Sequence, residues 1–251
     1  MGSTGHTASP EARRPAKRPE TPISSRARVI RLFWRSGLLL GLLALAVSLA
    51  LVLPWRWLAP PTTAFMLRAQ LATDKDIQYR WVSWEAISPH LPIAVVAAED
   101  QKFPRHRGFD FDAIFQATRE RRARMRGAST ISQQVAKNLY LWPGRSLVRK
   151  GLEAWFTVLI ETLWPKRRIL EIYLNVAEFG PGIYGVGAAS EVFFHRPPSR
   201  LSRRHAALLA AVLPSPRRMS AARPSAYVNR RAREIDTWAR KLGGPRYLSD
   251  L

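Results

Sequence analysis

Cysteine does not occur in the 251 residues of this chain, which removes a disulfide framework, a thiolate metal site and a cysteine nucleophile from the chemistry open to it. Acid is scarce as well: 18 Asp and Glu face 40 Lys and Arg, a formal net charge of +22 at pH 7 and a pI near 11.5. So basic a balance makes nucleic acid, an anionic membrane surface or a phosphorylated substrate the natural partner, and does not by itself choose among them. Strand-like alternation is rare and no internal repeat recurs, so helices have to build the core. Material for one is present, at 47% hydrophobic residues, and the length suits one large domain or a medium domain with extensions.

Residues 1 to 35 are rich in Pro, Ser, Thr, Arg and Lys and almost free of large apolar side chains before Val29, so they are expected to form a disordered basic tail. Arg13, Arg14, Lys17, Arg18, Arg26, Arg28, Arg31 and Arg35 lead into an uncharged apolar run over 36 to 53. About 18 such residues suffice to cross a bilayer as a helix, and Phe33, Trp34, Trp55 and Trp57 stand where interfacial aromatics belong. The expectation is a single-pass anchor over 36 to 57, with the tail cytoplasmic and everything after it outside. A cleaved signal peptide is disfavoured, because its only cleavage-like site, Ser48-Leu49-Ala50, lies inside the apolar run.

Residues 58 to 82 read as an irregular link, and 83 to 251 as an all-α domain. Helices are expected ending at Glu99 and over about 112 to 125, 129 to 141, 148 to 164, 168 to 179, 186 to 194, 202 to 212 and 227 to 242. Pro165 and the Gly180-Pro181-Gly182 break punctuate them.

Three stretches carry chemistry. In the first, Ile93-Ala-Val-Val-Ala-Ala leads directly to Glu99 and Asp100. A carboxyl delivered from a buried apolar helix is desolvated, which raises its pKa toward the range of a working general base or acid; the plainer reading is a helix ending in a solvated acidic pair. In the second, Ser129, Gln133 and Lys137 stack on one helical row and Thr130, Gln134 and Asn138 on the next. Hydroxyls and amides with a single cation suit a binding face more than a solvated one, while Ser129 or Thr130 also suits an N-cap. The third stretch places Arg149 and Lys150 one turn before Glu153, with Glu161 further along. As an i,i+4 ion pair with the cation first, Arg149 and Glu153 would contribute only a few tenths of a kcal/mol; as a carboxylate flanked by two cations, the group suits a site that handles an anionic leaving group.

Together Glu99-Asp100-x-x-Phe103-x-x-His106-x-Gly108, Gly127-x-Ser129-Thr130-Ile-x-Gln133-Gln134-x-x-Lys137-Asn138, Arg149-Lys150-x-x-Glu153 and Arg168-Ile-Leu-Glu171-x-Tyr173-Leu-Asn175 resemble the ordered motifs of the peptidoglycan glycosyltransferases, glycosyltransferase family 51. The short anchor, the phrases Asn175-Val-Ala-Glu178-Phe-Gly and Ala211-Val-Leu-Pro214-Ser-Pro216, and the lack of room for a transpeptidase domain resemble its monofunctional biosynthetic branch. Ser132 stands where many relatives carry Thr, which keeps the hydroxyl. The resemblance implies a lysozyme-like helical fold and polymerisation of lipid II, with Glu99 as the general base that takes the proton of the acceptor's 4-hydroxyl. It implies that Lys137, Arg149 and Lys150 hold the departing diphosphate and that Glu153 assists there, orienting the cations or ligating a divalent metal such as Mg if one is used. Ser129, Thr130, Gln133, Gln134 and Asn138 would line the sugar cleft, while Asp100, Glu171 and Asn175 lean structural and His106 is open to either role. No organic cofactor is implied. The implied partners are lipid II and the growing glycan strand, the membrane, and other cell wall synthesis or division proteins, with no nucleic acid; the implied location is the cell inner membrane with a periplasmic domain. A lysozyme-like hydrolase or lytic transglycosylase is the main competing enzyme, since it also needs a carboxylate in a helical cleft.

Overall fold

The computed structural model describes residue 2 and residues 25–72, 76–112, 115, 129–144 and 146–251. Most of the helix expected over 112 to 125, and nearly all of the tail before Ser25, lie outside the described residues. The chain divides into two compact units, Met1–Ala46 and Val47–Leu251. Helix α1 (Ser25–Val52) begins well before the apolar run. Residues 25 to 35, expected as part of a disordered tail, are therefore helical: once the apolar run nucleates a helix, adding Arg, Leu, Ile and Phe to its start costs little. Leu32–Arg56 is long and apolar enough to span a membrane, with a mean hydropathy of 2.5 over its most apolar window. Its 25 residues correspond to roughly 37 Å of helix against a hydrocarbon core of about 30 Å.

In the second unit α1 ends, α2 (Ala64–Ala72) and β1 (Gln78–Tyr79) follow, and then α3 (His90–Glu99), α4 (Ile131–Tyr140), α5 (Leu147–Leu163) and α6 (Lys166–Val176). The hairpin β2 (Glu178–Gly180) and β3 (Ile183–Tyr184) leads to α7 (Gly185–Phe194), α8 (Arg203–Val212) and α9 (Ala226–Lys241). The stretch expected as an irregular link is thus folded. Thr63 caps α2 by accepting from the Met66 N–H at 3.1 Å, Met66 is buried, and β1 joins a small sheet of order β1-β3-β2. In that sheet Gln78 pairs with Ile183 in parallel and Glu178 with Tyr184 in antiparallel fashion.

The core forms around α3. Leu91 to Ala97 are all buried, so this helix is apolar on every side and belongs at the centre rather than the surface. Helices α8 and α9 pack on it from one side. Helix α4 packs on α5 and α6, and its first backbone N–H, at Ile131, donates to the Asp100 carboxylate just past the end of α3 at 2.9 Å. Asn175 of α6 ties the β1 side to the core, accepting from the Val82 N–H and donating to the Val82 carbonyl, each at 2.8 Å. Gly185 has φ +75°, and a Cβ there would lie 2.3 Å from the Asn175 carbonyl oxygen, so a side chain would push the hairpin off α6.

The last turn of α1 and the residues after it are stitched to α4, α5 and α6. Trp155 Nε1 donates to Ser48 Oγ at 3.0 Å, Trp164 Nε1 to the Val52 carbonyl at 3.1 Å, Tyr140 Oη to the Leu51 carbonyl at 3.3 Å and Arg168 Nε to the Trp55 carbonyl at 2.8 Å. Beside these contacts Val148, Leu152, Trp155 and Val158 form an exposed apolar stripe along α5, at spacings that keep them on one face.

Candidate active site

Glu99 is the last residue of α3, so the buried helix carries its carboxyl to the edge of the core. Its side chain is 15% exposed. Burial raises its pKa, more than Gln134 and Arg231 lower it, and the neighbouring Asp100 charge pushes it the same way as burial. Gln134 Nε2 donates to Glu99 Oε2 at 3.1 Å, while the Gln134 carbonyl oxygen accepts from Tyr173 Oη at 3.1 Å. The tyrosine hydroxyl therefore fixes which end of the amide faces the carboxylate.

Asp100 has a different task. Besides the Ile131 N–H, it accepts from His106 Nε2, whose distances to the two Asp100 oxygens are 3.0 and 2.9 Å. His106 Nδ1 accepts from the Gly108 N–H at 3.1 Å, which places the ring proton on Nε2. Both residues thus hold the loop after α3 against the start of α4. Gly108, at φ +88°, carries the chain through this turn, and its carbonyl accepts from Thr130 Oγ1 at 2.6 Å.

That contact leads into a cap made by two of the expected cleft residues. Thr130 is the N-cap of α4, its hydroxyl accepting from the Gln133 N–H while Gln133 Oε1 accepts from the Thr130 N–H. Both side chains are buried in this reciprocal cap, which positions the helix. Ser129 is exposed just before the cap, and Asn138 is half-buried one turn beyond Gln134 on the same row.

Lys137, one turn after Gln134, stands between two carboxylates. Burial lowers its pKa first, Glu153 and Glu99 raise it, and Arg149 and Lys150 lower it. Its Nζ lies 5.5 Å from the centre of the Phe65 ring of α2. Glu153 is buried on α5. Arg149 Nη1 donates to its Oε2 at 2.8 Å and Lys150 Nζ to its Oε1 at 2.5 Å. Both oxygens thus accept from cations, and no group of three His, Asp or Glu stands close enough to hold a metal among the described residues. Lys150 is half exposed and Arg149 nearly buried, and Arg149 Nε, though buried, finds no hydrogen-bond partner among the described residues.

A family model described as Transglycosylase matches residues 67–238. The chain belongs to the transglycosylase family. Proteins named biosynthetic peptidoglycan transglycosylase from Pseudomonas putida (strain W619) and Pseudomonas entomophila (strain L48) are each 54% identical to it over 213 residues, covering 82% of this chain and 90% of the relative. One of the same name from Xanthomonas campestris pv. campestris (strain B100) is 54% identical over 215 residues, covering 82% of this chain and 87% of the relative. The transglycosylase match takes in every expected site residue, and the fold brings Glu99, Gln134, Lys137, Arg149, Lys150 and Glu153 around one another.

Arg231 of α9 stands beside Glu99 as well and was not singled out in the sequence. Its Nη2 lies 3.9 Å from Glu99 Oε1, and its buried Nε likewise has no hydrogen-bond partner among the described residues. Nothing in the run Asn229-Arg230-Arg231-Ala232-Arg233 distinguishes it from its neighbours. Only the packing of α9 on α3 does.

Proposed function

We infer that this transglycosylase polymerises lipid II into the glycan strands of peptidoglycan, with Glu99 as general base. The observation that carries the reading is a desolvated carboxyl, Glu99, linked to a cation cluster by the α4 face that bears Gln134 and Lys137. Glu99 receives the proton of the acceptor's 4-hydroxyl as that oxygen bonds to the donor's anomeric carbon. The bond from that carbon to the diphosphate oxygen breaks, and the diphosphate departs with its polyprenyl chain carrying the electron pair. Such a leaving group needs its developing charge stabilised rather than a proton supplied, and guanidinium and ammonium groups do this well. Lys137 and Arg149, both largely desolvated, and the more exposed Lys150 supply them. The unpaired Nε–H of Arg149 is a buried donor of the kind an anionic substrate oxygen satisfies.

Ser129, Gln134 and Asn138 are placed to meet sugar hydroxyls along the cleft. The hydrolase reading needs a carboxylic acid, which Glu99 could supply, but has no use for the cluster of Lys137, Arg149 and Lys150 beside it, which suits a diphosphate. The polyprenyl chain requires the site to work at a bilayer, which the apolar stripe of α5 beside the end of α1 supports. The arginines preceding the span favour a cytoplasmic tail and a periplasmic domain at the cell inner membrane.

Detergent-solubilised protein incubated with lipid II should yield a glycan polymer, and Lys137→Ala and Arg149→Ala should each lower turnover about tenfold or more. Correctly folded variants with unchanged turnover would reject a diphosphate leaving group here.

A further inference from the structure

Helices α8 and α9 enclose a groove of about 610 Å³ lined by Arg203, Arg204, Ala207, Arg233, Asp236 and Arg240 among others. A second hollow of about 150 Å³ shares Arg203, Ala207, Asp236 and Arg240 with it and reaches His90 at the start of α3. The floor is apolar, with Ala207, Leu208, Ala232 and Ala239 buried, and the rim is cationic. The single carboxylate in the lining, Asp236, is shared between Arg203 at 3.5 Å and Arg240 at 3.4 Å, both of which are well exposed. Arg204 reaches only an amide oxygen, that of Asn229, at 3.5 Å. Arg233 pairs with no acidic side chain among the described residues. Four guanidinium groups against one carboxylate leave the groove strongly positive.

We propose that this groove docks an acidic, amphipathic peptide segment of a partner protein, its carboxylates on the arginine rim and its apolar side chains on the apolar floor. The groove is separate from the catalytic cleft: on α9, Arg233, Asp236, Thr237 and Arg240 project from the side opposite Arg231, which faces Glu99. A glycan is a poor occupant, because the larger groove has no aromatic ring in its lining on which a sugar face could stack. A lipid headgroup is also disfavoured, because the apolar stripe of α5 and the α1 contacts lie on elements that take no part in the lining. Arginine suits carboxylate recognition through its planar two-pronged donor set, and arginine-rimmed apolar patches are common at protein interfaces.

The test uses the full chain in neutral detergent and a fluorescein-labelled peptide of repeated Glu-Glu-Leu-Leu, read by anisotropy, with a Gln-Gln-Leu-Leu peptide alongside. Because the whole chain is basic, the comparison is between Arg204→Glu with Arg233→Glu in the groove and Arg218→Glu with Arg223→Glu, exposed residues outside it. Saturable binding of the acidic probe should weaken about tenfold or more in the groove pair and less than about twofold in the other. Lipid II polymerisation should be unchanged in both. Equal weakening in the two pairs, equal binding of the Gln-Gln-Leu-Leu peptide, or no saturable binding would overturn the proposal. Displacement of the probe by inorganic phosphate or short-chain phosphatidylglycerol at equal concentration would also overturn it, making the groove an anion site for phosphate or lipid.

Discussion

Glu99 holds its proton more tightly in the folded chain than a solvated glutamate does, because burial outweighs Gln134 and Arg231. A carboxyl with a raised folded-state pKa favours folding below its unfolded pKa, and that contribution is lost as pH rises through the folded value. At neutral pH its charge therefore costs stability, as strained or desolvated catalytic groups commonly do. Glu99→Gln should raise the melting temperature at pH 7, with the gain shrinking toward the wild-type value below the ordinary glutamate pKa. Equal melting temperatures for the two proteins at pH 7 would mean that Glu99 is not desolvated. Tyr173 acts on the same carboxylate at one remove, through Gln134. Removing its hydroxyl in Tyr173→Phe lets the amide turn its oxygen toward Glu99, so the pH–rate profile should move to higher pH and kcat fall by about fivefold, a typical net hydrogen-bond contribution, with KM little changed. A profile superimposable on that of the wild type would remove Tyr173 from the positioning of the base.

Helix α5 presents two faces to two different environments. Arg149 and Glu153 face Lys137 of α4, while Val148, Leu152, Trp155 and Val158 are exposed beside the last turn of α1. If the outward stripe lies in the lipid interface, the cation cluster sits where a membrane-held diphosphate emerges. A chain beginning at Val47, the start of the second compact unit, should bind vesicles, and Leu152→Glu with Val158→Glu should weaken that binding about tenfold or more. Undiminished binding would place the stripe away from the bilayer. Legibility in the sequence also divides by element. Helix α3 was readable up to Glu99 because an unbroken apolar run ending in an acidic pair suits a buried element that delivers a carboxyl to the core's edge. The polar rows of α4 were only partly readable: Thr130 was legible as an N-cap candidate, but its reciprocal partner Gln133 was not, because the box forms where Gly108 and Asp100 bring the start of α4 into the core. Helix α2 escaped because its nine residues show no strong one-sided pattern, and it is fixed by Thr63, Met66 and its packing on α4.

Across the whole molecule, residues distant in sequence share one site because α3 runs through the centre and α4, α5 and α9 each bring one face toward its C-terminal end. Arg231 could not be read from sequence for this reason, since its role exists only once α9 lies against α3. In the proposed reaction one buried carboxylate moves the proton while the cations act only on the leaving diphosphate. Steady-state lipid II polymerisation by Glu99→Gln across pH, with lipid II binding measured alongside, tests it most directly. The substitution keeps the shape and the hydrogen bond from Gln134 but cannot accept the proton, and a positioned base is worth about 100 to 10,000-fold. Turnover should collapse by that order at every pH while binding persists, and the wild-type rate should rise with pH through a pKa above that of a solvated glutamate. Near-normal polymerisation by Glu99→Gln would contradict the account.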